Sequence, residues 1–400
     1  MIADWFLELA RAAGRLFMQP QLYLFILAAF LLGKRRVKRE RLDFHTRVHD
    51  VVADLKALFQ GVLFGMAVSV LTFGLGLALP LGVLALLAVL SIVLAVTLQV
   101  RWLSPAYLFS SVILAALFLP EMEIPNSFMN SLLQDIYEAS VPGLAVMMGI
   151  LIVTEGLLII YKGRNWSSPQ LKMGKRGKTI GSHSMKRLWL LPVLLLVPAE
   201  GITPAVEWWP VITVGGTAFA FWFVPFGIGF SQRVQGSLPE ESVRVTGRRV
   251  TALGVLVTAV AVSAIWFPLM AAAAAGTALL GREFLTVRQR HNDDQNTTYF
   301  SRRDHGLVIL GVLPGSPADK LNLHVGEIVT IVNGNEVHTE EGFYEALQQN
   351  LAFCKLEVLD HNGEVRLVQR AIYEDEHHEL GLLFVQDERE MRLEEAANQS

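Results

Sequence analysis

Eight apolar segments crowd the first 281 residues of this 400-residue chain, and no other feature restricts its fold so tightly. They cover roughly 18–33, 58–79, 81–99, 104–119, 141–161, 188–205, 208–230 and 251–281. A helix that crosses a bilayer needs about 20 mostly apolar residues, and most of these segments reach that. The first and fourth are short enough to lie partly in the interface. The last is too long for one simple crossing and contains Trp266-Phe267-Pro268, where a proline can break a helix. It reads as one tilted helix or as a tight pair. With 52% hydrophobic and 18% charged residues, the chain is neither disordered nor composed like a soluble enzyme.

Charge is distributed unevenly. Residues 1–281 hold 23 Lys and Arg against 15 Asp and Glu, a balance of +8; residues 282–400 hold 11 against 22, a balance of −11. The acidic end argues against nucleic acid, which needs a basic face. Basic loops stay in the cytoplasm. Three such stretches are present: Lys34 to Arg41, the Lys162–Arg187 loop with eight Lys and Arg and no acid, and Arg233–Arg249 with four arginines. Between them, Pro120–Ser140 and Ala199–Pro210 carry acids and no Lys or Arg. Segments two to seven alternate across the membrane under that rule. Arg282, Arg288 and Arg290 follow the eighth segment and place its exit on the cytoplasmic side, so it is expected to be a hairpin bent near Trp266–Pro268. Residues 1–16 read as an interfacial amphipathic helix rather than a cleaved signal peptide. Glu155, inside the fifth segment, is an intramembrane acid and thus a functional candidate. No partner at its depth is visible in the sequence, and the favoured reading sets it against neighbouring helices or wet headgroups.

From about residue 296 the pattern changes to short strands and one helix. Gly306–Leu313 is a β-type run, Pro314-Gly315-Ser316-Pro317 a turn, Ala318–Leu323 a helical turn and Gly326–Val332 a strand. Asn333-Gly334 is a two-residue hairpin signal. Thr339 opens a helix to about Asn350, with Phe343, Ala346 and Leu347 on one face. Lys355–Leu359 and Val365–Arg370 flank a second hairpin turn, and Glu379–Val385 is a closing strand. Leu310, Val312, Ile328, Ile331, Phe343 and Leu347 are expected in the core.

The string Leu313-Pro314-Gly315-Ser316-Pro317-Ala318, then Leu321–Leu323, Val325-Gly326-Glu327-Ile328-Val329 and Val332-Asn333-Gly334 resembles a bacterial PDZ domain over about ninety residues. The resemblance implies a small α+β fold, a partly open β-barrel with a helix flanking a groove. There a partner's extended C-terminus adds as a strand. The glycine-led loop for the partner's carboxylate is not found before Gly306. Its nearest match is Gly381-Leu382-Leu383-Phe384, as if the order were permuted; an ordinary closing strand is the alternative reading. The implied groove is Gly381, Leu382, Leu383 and Phe384 against Thr339, Phe343, Ala346 and Leu347.

Catalytic apparatus is not evident. There is no HExxH, P-loop or dinucleotide fingerprint. His45 and His49 are spaced i, i+4 but read as a solvated helix face, and Ser237 has no histidine near in sequence. The single cysteine, Cys354, excludes an internal disulfide and a multi-cysteine zinc site. The expectation is therefore a non-enzyme without cofactor or metal. Its architecture is an α-helical polytopic membrane domain (1–285, about six to nine crossings), a linker (286–295), a PDZ domain (296–386) and an acidic tail (387–400). The alternatives are a PDZ-regulated intramembrane protease or a scaffold of another membrane complex.

The chain as a whole resembles the cell-division topological determinants of Gram-positive bacteria. The likeness is carried by Gln19-Pro20, an apolar span, Arg36-Val37-Lys38-Arg39-Glu40-Arg41, Asp43–Asp50 and the multi-span region before a PDZ-like end. It implies a membrane bridge, enriched at septum and poles, between a DivIVA-like marker of curved membrane and a MinD-like protein that acts with MinC. Other division-machinery membrane proteins and the bilayer are further partners, nucleic acid and a small-molecule substrate are not, and the PDZ domain faces the cytoplasm.

Overall fold

The computed structural model describes residues 2–120, 122, 124–174, 177–202, 218–301, 303, 305–350, 353–371 and 380–385. The acidic tail and the turn of the expected 188–230 pair lie outside the described residues. Helices dominate the first part: α1 (Ile2–Phe17), α2 (Pro20–Phe44), α3 (Val51–Phe59), α4 (Val62–Gly74), α5 (Leu81–Val96), α6 (Pro105–Phe118), α7 (Ser127–Tyr137) and α8 (Val141–Lys162). Three strands follow, β1 (Ser168–Met173), β2 (Thr179–Ile202) and β3 (Phe219–Val234), and then two helices, α9 (Pro239–Ser263) and α10 (Leu269–Gln295).

Among the described residues, three helical stretches are long and apolar enough to cross a membrane: Val51–Gly74, Val141–Lys162 and Pro239–Ser263. The α1–α2 pair, bent by 49°, passes the same test as one broken unit. The outer faces of α4, α5 and α9 expose Leu63, Val70, Val93 and Leu256, the kind of apolar surface that a bilayer covers. α8 is the central helix; its Gly149 and Gly156 lie against Thr258 and Thr251 of α9. An added Cβ on either glycine would come within 2.3 Å of a threonine Oγ1. Gly247 and Gly254 of α9 return the contact against Ile160 and Val153. Small residues seven apart on both helices let the backbones approach, as membrane helix pairs do.

Segments 188–205 and 208–230, expected as helical crossings, are corrected by the structure: β2 and β3 form one long antiparallel hairpin, Pro198↔Phe219 through His183↔Val234. The physical reason lies in residues whose helical reading is weak. Pro192, Pro198 and Pro225 each forbid a helical hydrogen bond, and the aromatic run Phe219–Phe226 favours strand. Pro192 and Pro225 stand opposite each other, which places two missing N–H donors on one rung. Trp189, Leu191, Val224 and Phe230 then join the buried cluster around α8.

The edges of this hairpin are covered by helices and the short connections between them. Ser69 of α4 accepts from the Leu194 N–H at 2.8 Å, Thr72 donates to the Leu194 carbonyl at 3.1 Å and Leu79 N–H donates to the Leu196 carbonyl at 2.9 Å. On the β3 side, Arg15 and Gln19 donate to the carbonyls of Phe221 and Phe223 at 2.7 and 2.6 Å. Backbone groups at a sheet edge away from water need such partners.

The eighth segment is a hairpin in the structure. α9 ends at Ser263, the chain turns through Trp266–Pro268 and α10 returns, bringing Gly281 against Leu253. α10 continues as helix through residues 286–295, read from the sequence as a linker.

The last part holds β4 (Leu307–Val308), β5 (Gly311–Val312), α11 (Pro317–Lys320), β6 (Ile328–Val332), β7 (Asn335–Glu336), α12 (Glu340–Gln348), β8 (Phe353–Leu359), β9 (Val365–Ala371) and β10 (Leu382–Leu383). One sheet runs β4-β6-β8-β9 with β7 on β6, and β10 pairs with β5. Asn333 and Gly334 take φ of 50° and 92°, as the hairpin signal requires. Phe343 and Leu347 are buried as expected, but Val329 and Val332 replace Ile328 and Ile331 in the core. A register shift between Val329 and Ile331 opposite β8 sets that choice. Leu310 is buried at a different place. With Phe300 and Val308 it forms a cluster that also holds Phe44 of α2 and Leu171 of β1, which joins the last part to the first.

Candidate peptide-binding site

α12 begins where Thr339 accepts from the Gly342 N–H at 3.1 Å, which satisfies one orphan donor of the first turn. Phe343, Ala346 and Leu347 then fall on one face and are buried. The far end is tied by the Asn333 side chain, which donates to the Ala346 carbonyl at 3.0 Å. Beside this helix lies Gly381–Phe384. Gly381 has φ +81°, and a Cβ there would sit 2.4 Å from the Ser316 Cβ, so glycine is needed twice over. Its carbonyl accepts from Leu313 N–H at 2.8 Å, and the Leu383 carbonyl accepts from Leu310 N–H at 2.7 Å. Alternation along a strand turns the backbone N–H and C=O of Leu382 to the edge opposite β5. Phe384 meets Phe343 edge-on, with ring centroids 5.1 Å apart.

The structure therefore brings the sequence-selected residues together. Leu382, Phe384, Phe343, Ala346 and Leu347 share one buried cluster, Leu383 is buried beside them on β10, and Thr339 caps the helix. Cys354 belongs to the same cluster, and burial pushes its thiol up to about 12. Among the described residues no group of three or more His, Cys, Asp or Glu is placed to hold a metal ion.

Two charged clusters in the helical part went unread in the sequence. Glu155 is fully buried and has a partner: Arg282 of α10 donates to its Oε1 at 2.9 and 3.1 Å, and Ser104 donates to its Oε2 at 2.5 Å. Of the two surroundings read for Glu155, neighbouring helices and wet headgroups, the structure shows the first, and it corrects the reading that no charged partner lies at its depth. The partner was hidden because Arg282 lies 127 positions away, at the foot of the hairpin that α10 completes.

The second cluster is the basic stretch itself. Arg36 bonds Glu40 at 2.9 Å and Asp54 at 2.9 Å, as well as the carbonyls of His49 and Asp50. Arg187 of β2 reaches Asp54 at 3.4 Å, and Ser168 of β1 donates to Glu40 at 2.6 Å. His45 closes α2 with φ 54° while His49 lies half-buried in the following loop, so the two share no helix face. Burial, with Arg36 beside it, lowers the His49 pKa to about 4.

The fold is mostly helical, with several apolar helices of membrane-crossing length, a covered hairpin and a small α+β part at the end. No family model matches the chain. It is 46% identical to "Cell division topological determinant MinJ" of Bacillus subtilis (strain 168), over 98% of each chain. It is 25% identical to "Probable cell division topological determinant MinJ" of Lacticaseibacillus paracasei, over 88% of this chain and 92% of that one. The same identity and coverage hold for the Lacticaseibacillus casei (strain BD-II) protein of that description. The chain belongs to the MinJ family of cell division topological determinants.

Proposed function

We propose that this chain is a non-enzymatic, multi-pass membrane adaptor that helps place the division site. In this reading it bridges a DivIVA-like marker to the MinC/MinD inhibitor, with its last part acting as a cytoplasmic PDZ module. The observation that carries the reading is identity with a named topological determinant over 98% of both chains. The covered hairpin, the three crossing-length helices and the strand edge at Leu382 support it. An anchor that fixes where peripheral proteins gather needs no turnover, only a membrane part and a docking edge. A partner's C-terminal strand would pair along Leu382, with its side chains against α12.

The test is co-purification of DivIVA and MinD with the full chain, beside a Leu382→Pro variant that removes the edge N–H. Both partners are expected with the parent chain, and one of them is expected to be lost from the variant. Neither partner retained by the parent chain would sink the bridge. Equal retention by parent and variant would move docking away from β10.

A further inference from the structure

A cleft of about 670 Å³ opens where the helical part meets the C-terminal part, at the end of α8 and the start of α9. Arg164 enters it from the end of α8, Arg244 and Arg248 from one face of α9, and His324 and His361 from loops of the C-terminal part. Glu240 lies between Arg164 and Arg244 and pairs with both, while Glu241 is the other acid in the wall. Arg248 makes no ion pair among the described residues and is exposed. Leu238, Pro239 and Val325 supply an apolar border. The cleft is fixed in place: Tyr299 N–H donates to the Gln235 carbonyl at 2.8 Å, and the Asp293 carboxylate accepts from the N–H groups of Gln235 and Gly236 at 3.0–3.1 Å. α8 and α9 are two of the helices long enough to cross a membrane, so the cleft lies at the level where such helices leave the hydrocarbon.

We propose that this cleft binds a phosphate-bearing anion, with Arg244 and Arg248 as its principal ligands and Arg164 and the two histidines completing the wall. Guanidinium groups match phosphate oxygens through paired, charge-assisted hydrogen bonds. The position and the apolar border suit the headgroup of an anionic phospholipid, whose acyl chains would run along α8 and α9; a free phosphate compound presents the same chemistry. A bound headgroup would touch both parts of the molecule and fix the C-terminal part against the membrane surface. This rests on α8 and α9 being crossings, and is independent of which division proteins are bound.

Native mass spectrometry of the detergent-purified full chain tests it, with phosphatidylglycerol and phosphatidylcholine as probes and glycerol 1-phosphate as competitor. The parent chain is expected to retain phosphatidylglycerol about tenfold better than phosphatidylcholine, and Arg244→Ala/Arg248→Ala to lose about that factor. Arg248→Lys should keep only part of the preference, because an ammonium keeps the charge but not the paired hydrogen bonds, and Glu241→Gln should strengthen it by removing a like charge. Displacement by glycerol 1-phosphate would support the phosphate site and assign it a soluble ligand; resistance would assign it to lipid. Equal retention of the two lipids, or an unchanged preference in the double variant, overturns the proposal. Retention of neither lipid overturns it as well.

Discussion

β2 runs beside α4, and the N–H and C=O of Leu194 are met by Ser69 and Thr72. β10 runs beside α12, and among the described residues its strand partner is β5 alone, with Leu382 turned to the other edge. The two strands are similarly apolar; helix side chains close the β2 edge, while Leu382, 2% exposed, has no strand on its other side among the described residues. Leu194 lies among apolar helices, where an unmet backbone group costs several kcal/mol and water cannot help. Leu382 lies in a small α+β unit, where under the proposed function an incoming peptide would supply the partner.

The same contrast holds for charge. In the helical part, buried Glu155, Arg282, Arg36, Glu40 and Asp54 are all paired. Arg282→Ala would leave Glu155 buried without its cation, and should cost about 3–5 kcal/mol. Thermal unfolding of the purified chain measures this, and Glu155→Gln in the Arg282→Ala background should recover part of it. A loss confined to a few tenths would mean that water reaches Glu155, and the helical part would then be less closed than the comparison holds.

Leu347→Ala tests the apolar counterpart in the C-terminal unit. Leu347 is 5% exposed within a single cluster, and its truncation should cost about 2–5 kcal/mol. A local loss read by hydrogen exchange in β6 and β8, with the helical part unchanged, would sharpen the division into two regions. Ser69→Ala should cost about 1–3 kcal/mol, because it strands the Leu194 N–H. Leu382→Pro removes a core side chain that is 2% exposed as well as an N–H, and should cost at least as much.

A smaller effect is expected with pH. His183 of β2 is fully enclosed beside Phe300, at 5.0 Å between rings, where the two parts meet. Burial lowers its pKa from 6.5 to about 4. The unfolded chain therefore binds a proton between those values that the folded chain refuses. Stability from this group is full above pH 6.5 and is lost as pH falls toward 4. Melting temperatures across that window should fall with acid, and His183→Leu should flatten the slope.

Much of the C-terminal unit was legible in the sequence because its signals are local. Asn333-Gly334 forces a turn, Thr339 caps a helix, and Phe343, Ala346 and Leu347 recur at helical spacing. Ile328 and Ile331 were misplaced because a register shift opposite β8, which no local pattern reveals, exchanged them with Val329 and Val332. In the helical part, hydropathy located the apolar segments but could not distinguish a buried strand from a crossing helix, since both are continuous apolar runs. Pro192, Pro198 and Pro225 were the available signal. The Glu155–Arg282 pair was out of reach for a different reason: it is made by the α9–α10 hairpin, and only the path of the chain brings α10 beside α8.

A fluorescent fusion of the full chain, followed in dividing cells, tests the central claim most directly. An adaptor that helps place division should concentrate at nascent septa and then at the new poles. An even distribution around the envelope through constriction, from a fusion of full length and normal abundance, would contradict the account.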